Sequence, residues 1–148
     1  MWVVVNYKPK QEKTMSLKIG KTIYPIPANR SLVTGDEIAY WENVGGKFKV
    51  VEGEIVHDYY REEGGNHVFK ILLIACDGTN AGEVFDEANE TGGIITRIAK
   101  HVYPFGVHRM EWRDENNRRQ LEREKNLRSK LAKDFVLMQM MRQTHRAA

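Results

Sequence analysis

A single cysteine, Cys76, in 148 residues excludes an internal disulfide framework and any zinc site built from several cysteines. Proline is scarce, with four in the chain and none after Pro104, and no glycine follows Gly106. No apolar run approaches the roughly 20 residues that carry a helix across a bilayer, so no membrane association is expected. The opening MWVVVNYKPK places its apolar stretch ahead of its lysines, the reverse of a secretory signal, and the expected location is cytoplasmic. A Gly-x-Ser-x-Gly elbow, a phosphate-binding loop and a Rossmann glycine fingerprint are all missing. Gly45-Gly46, Gly64-Gly65 and Gly92-Gly93 read as turns, not as phosphate cradles.

What is present is a segregated charge. The net charge of +3 hides basic ends and an acidic middle. Residues 1–30 carry six basic side chains against Glu12 alone; residues 31–109 carry seven basic and thirteen acidic; residues 110–148 carry ten basic and six acidic. A uniformly basic nucleic-acid binder does not look like this. Either the basic ends meet phosphate while the acidic middle faces away, or the oppositely charged parts pack on one another.

Along the chain, Trp2 to Tyr7 is β-branched and aromatic and reads as a strand. Residues 8–21 are polar and lysine-rich and read as a loop or an exposed edge. Tyr24-Pro25-Ile26-Pro27 lacks two ladder donors, which makes it an edge strand or an extended connector. Three strands at 36–42, 47–60 and 67–76, joined at Gly45-Gly46 and Gly64-Gly65-Asn66, form a meander. Phe48 and Val50 lie out of phase with Val51 and Ile55, so a bulge is expected near residues 50–51. Val68 to Ala75 is apolar on both faces and reads as a central strand. Asn80 with Glu83 fits a helix start with a capping box, and Gly92-Gly93 a helix end. Residues 94–102 suit helix by spacing and strand by β-branching. From about residue 111 helix formers dominate without interruption, charged nearly all round to Lys133. Leu127, Leu131, Phe135 and Met138 then draw an apolar stripe, and the stretch 135–141 is too apolar for a solvent-facing tail.

Catalysis finds little support. His57 and His67 flank the 64–66 turn beside Asp58, the arrangement of a cross-strand contact more than of a metal site, and neither a metal nor another cofactor is expected. Cys76 closes a buried strand and reads as a core thiol. Glu52 and Glu54 share a strand face, as general acid–base pairs do, but also as the wet face of any half-exposed strand does. No catalytic residue is assigned. Binding is the better class. Aromatic side chains concentrate in the meander, and adjacent Tyr59 and Tyr60 point to opposite faces, which exposes one of them.

The stretch Gly35-Asp36-Glu37-Ile38-Ala39-Tyr40, followed by Val51-Glu52-Gly53-Glu54-Ile55-Val56, resembles small SH3-like or KOW-like barrels, where a Gly-Asp-x-[Ile/Val] strand start precedes a Gly-x-[Ile/Val] strand. The chain is also similar to compact accessory proteins of bacteriophage type. The resemblance covers residues 34–76, and its motif reports a turn and a strand. It implies a barrel that docks on RNA, DNA or the proteins that handle them, and carries over no functional residue.

The expected fold is therefore α+β: a β-rich small half-open barrel over residues 1–110, built on the three-stranded meander, and a long C-terminal helix over 111–148. The expected function is non-enzymatic docking on a larger machine that handles nucleic acid, as an accessory protein or inhibitor. Its candidate contacts to a protein partner are Leu131, Phe135, Met138, Met141, Tyr59 and Tyr60, with a second copy of the chain as an alternative occupant of the helix. Direct nucleic-acid binding would instead use Lys8, Lys10, Lys13, Arg118, Arg119, Arg123, Arg128 and Lys130. An acidic docking face for a basic partner would use Glu52, Glu54, Glu62 and Glu63. A small hydrolase or a ligand-sequestering protein would need an ordered pocket, which the sequence neither shows nor forbids.

Overall fold

Hydrophobic alternation and glycine turns build most of the sheet. A computed structural model describes residues 2–7, 14–19, 22–28, 30–62 and 64–146. In chain order the elements are β1 (Trp2–Tyr7), β2 (Thr14–Ile19), β3 (Thr22–Tyr24), β4 (Ile26–Pro27), β5 (Glu37–Val44), β6 (Lys47–Tyr60), β7 (His67–Gly78), α1 (Ala81–Glu90), β8 (Ile94–Ile98), α2 (Ala99–Val102), β9 (Val107–Arg109) and α3 (Glu115–Arg146). The protein is α+β, with a six-stranded sheet in the order β4-β9-β5-β6-β7-β8, a three-stranded sheet β1-β2-β3 and the long C-terminal helix. Every strand pairing described is antiparallel. The larger sheet is open, with β4 and β8 at opposite edges. Residues 14–19, expected as loop or edge, are instead the middle strand of the smaller sheet. Met15, Leu17 and Ile19 alternate with Thr14, Ser16 and Lys18, a period-2 pattern that the surrounding lysines obscure.

The meander forms as its sequence requires. Gly45, Gly46, Gly64 and Gly65 all take positive φ, between 62° and 79°; Gly45-Gly46 form a two-residue hairpin turn of the primed kind, and Gly64-Gly65 lie in a longer loop closed by the Arg61 N–H on the Asn66 carbonyl. β6 slips register twice, between Glu52 and Gly53 and between Ile55 and His57, slightly beyond the expected position. The reason is steric. A Cβ on Gly53 would stand 2.5 Å from Ile71 Cγ2 and 2.6 Å from the Leu72 carbonyl oxygen, so β6 and β7 approach here as only glycine permits.

One face of the sheet carries the core: Ile38, Tyr40, Val51, Ile55, Phe69, Ile71 and Ile95 pack under Leu32, Val84 and Ala88 of α1, and Val102 of α2. The segment 94–102 that suits two conformations takes both in turn, strand to Ile98 and helix from Ala99. Asn80 does not build the expected capping box. It adopts a left-handed backbone, φ 62°, without a side-chain cap, and the Glu83 N–H donates to the Asn80 carbonyl instead. Gly93 ends α1 as expected, its N–H reaching the Ala88 carbonyl at 2.7 Å.

Candidate functional site

Charged residues seat the first half of α3 on the sheet. Asp36, fully buried, accepts the Val33 N–H, the Trp112 indole N–H at 2.7 Å, and two Arg118 donors at 2.9 Å each. Gly35 beside it has φ 102°, and a Cβ there would fall 2.7 Å from the Trp112 ring, so the Gly-Asp pair is shaped to receive the tryptophan. About two turns further along, Lys125 Nζ donates to the carbonyls of Arg30 and Leu32, and burial holds this lysine below the usual range. Arg128 then reaches Asp58, which also accepts from Thr34 and from His67 Nε2 at 2.7 Å. Burial opposes ionisation of Asp58, but the bonds from His67 and Thr34 and the Arg128 charge prevail, holding its carboxyl well below the carboxylate range.

This seating turns the helix over. At roughly 100° per residue, Arg118, Lys125, Ala132 and Val136 lie within about 40° of one another, while Leu127, Leu131, Phe135, Met138 and Met141 span about 120° on the far side. Those five apolar side chains are 44–59% exposed. Leu131 and Phe135 also meet Tyr59 and Tyr60 in an apolar groove of about 320 Å³, edged by Arg61, Glu62 and Arg128. Four of the six expected partner contacts thus share one groove, with Met138 and Met141 continuing along the helix beyond it. Both tyrosines are half-buried, so neither is the fully exposed member of the pair.

On the other flank of α3 lies a cleft of about 900 Å³ between β9, α2, the β6–β7 turn and the helix. Arg30, Lys100, Lys125 and Lys133 line it together with His67, His108, Tyr60 and Tyr103, and among the described residues no carboxylate does. A further cleft of about 740 Å³ is different in kind, since Glu42, Glu83 and Glu87 offset its cations. There Arg97 bonds Glu42 at 2.5 Å and Glu87 at 2.6 Å, tying α1 to the sheet.

The remaining expected residues separate. Arg118 is not available to phosphate, because Asp36 and the Ser31 carbonyl occupy it. Arg128 is shared with Asp58, whereas Arg119, Arg123 and Lys130 are exposed on α3; Lys8, Lys10 and Lys13 lie outside the described residues. Glu52 is buried and accepts the Tyr24 hydroxyl proton, which removes it from any acidic docking face. Glu54 is half-buried, Glu62 exposed, and Glu63 outside the described residues. His57 stacks on Tyr59, and among the described residues no group of three or more histidine, cysteine or carboxylate side chains is placed to hold a metal. Burial pushes the Cys76 thiol up to about 11, leaving it protonated and unreactive. Sequence reasoning missed Asp36 as an anchor, although Gly35-Asp36 was visible as a motif, and missed Arg30, Lys100 and Lys133, which come together only through the fold. No helix among the described residues is long and apolar enough to cross a membrane. No family model matches the chain, and neither curated proteins nor solved structures yield a match.

Proposed function

We propose that this chain is a non-enzymatic binding protein that docks through α3 on a protein component of a larger machine handling nucleic acid. The observation that carries the reading is the reversed helix: Arg118, Lys125 and Arg128 face its own domain, and the apolar stripe is left 44–59% exposed. Exposed apolar patches of this extent mark interaction surfaces, and methionines suit grooves of irregular shape. The partner fitting this surface is a protein whose apolar groove has an acidic rim. On the free side of α3, Arg119, Arg123, Lys130 and Arg142 outnumber Glu124 and Asp134, all six being exposed. The same excess of positive charge disfavours a second copy of the chain laid helix against helix. The two register shifts of β6 support reading the curled sheet as the wall of a small half-open barrel, a platform that holds the helix outward.

A photo-crosslinking amino acid at Met138 of the full chain, used in nuclease-treated extract, tests this. An adduct with an acidic protein, weakened by added salt and lost in Leu131→Glu, is expected. Adducts only between copies of the chain, together with concentration-dependent dimers in sedimentation, would overturn it.

A further inference from the structure

We propose that the cation-lined cleft between α2, β9 and α3 binds a nucleotide phosphate with its base against the cleft's tyrosines, whether the nucleotide is free or ends a single strand. Three observations converge. First, Arg30, Lys100 and Lys133 are exposed at the cleft, and among the described residues none of them meets a carboxylate. An anion bound in the cleft is attracted by all three. Second, Arg30 holds a left-handed backbone, φ 70°, one of two non-glycine residues among those described that do so. Glycine or asparagine would take this turn with less strain. The carbonyls of Arg30 and Leu32 both receive Lys125 Nζ, at 3.1 and 3.0 Å, so the strained turn is pinned from beneath while its side chain reaches the cleft. Strain retained in this way is a mark of functional sites. Third, the cleft is of ligand size, and Tyr60 is already fixed in plane by stacking on His67, centroids 4.3 Å apart and 11° from parallel. An acidic peptide would answer the charge and leave the rings unused; a nucleotide uses both.

Fluorescence anisotropy of the full chain with labelled ten-nucleotide RNA and DNA strands reads this directly, with nucleoside triphosphates and polyglutamate as competitors. Lys100→Glu and Lys133→Glu should each weaken binding at least tenfold. Lys47→Glu and Arg113→Glu, which make the same charge change outside the cleft, should weaken it less than twofold. Arg30→Gly should weaken binding as strongly while its melting temperature holds or rises. Competition by triphosphates identifies free nucleotide as the source; competition by strands alone identifies a strand end. The proposal fails if neither strands nor triphosphates bind, if the control substitutions cost as much as the cleft ones, if Arg30→Gly binds normally, or if polyglutamate competes as well as the nucleotides.

Discussion

Asp36 decides how the helix is held, because it collects donors from three parts of the chain at zero exposure. A carboxylate and a guanidinium buried together gain little over an apolar pair of the same shape, since both must leave water. Removing one partner is another matter, because the other charge remains buried and unanswered. Asp36→Ala should therefore cost about 3–5 kcal/mol in urea unfolding, and Arg118→Leu a similar amount. The double substitution should recover a large part of the combined loss, which a double-mutant cycle measures as coupling. Additive losses would show that the pair does not act as a unit. The tryptophan belongs to the same knot, so its emission should shift in Asp36→Ala even under conditions where the chain stays folded.

Elements divide into those a local pattern specifies and those only the assembled fold specifies. β5, β6 and β7 were legible because alternation and paired glycines act over neighbouring residues, and α3 because no glycine or proline interrupts it. The open edges of the sheet were not, since closure depends on whether β4 meets β8, which no short window reports. Nor was the docking face of α3. Residues at i and i+4 along this helix read as surface ion pairs, and Arg118 does meet Glu122 at 3.6 Å, but its stronger partner is Asp36, 82 positions away. The apolar stripe was legible; that cations buried against carbonyls and carboxylates would hold the helix was not, because this is the less frequent solution. A consequence follows for truncation. Every hydrogen bond described from α3 to the sheet and its loops arises at or before Arg128. A chain ending after Arg128 should unfold cooperatively with a midpoint within a few degrees of the full protein, a shift equivalent to about 1 kcal/mol or less, and, immobilised as bait, should no longer retain the acidic partner that the full chain retains. Calorimetry showing collapse of the remaining domain would mean that the stripe stabilises it after all.

Across the whole molecule, the segregated charge of the sequence is partly spent internally. Arg118, Lys125 and Arg128 of the basic C-terminal segment fold onto Asp36 and Asp58 of the acidic middle and onto the backbone carbonyls of Arg30 and Leu32. What remains unspent lies on the two flanks of α3, and the flanks differ in kind: one is an apolar stripe edged by cations, the other a cleft whose described walls carry cations and no carboxylates. Salt separates them. Binding that neutralises phosphates releases counterions, and for single strands the slope of log affinity against log salt is about −0.7 for each phosphate neutralised. For a strand whose phosphates meet all three of Arg30, Lys100 and Lys133, the same rule of about 0.7 per contact gives a slope near −2. Apolar burial carries no such term, so docking through the stripe should weaken far less, chiefly through its cationic edge. Titrations of oligonucleotide and of the crosslinked partner over the same salt series place each ligand on its flank. Lys100→Glu should flatten the nucleotide slope without changing the partner's, and Leu131→Glu should abolish the partner's binding without changing the nucleotide slope. If one substitution moves both, the two flanks form a single composite site and the helix between them is its spine.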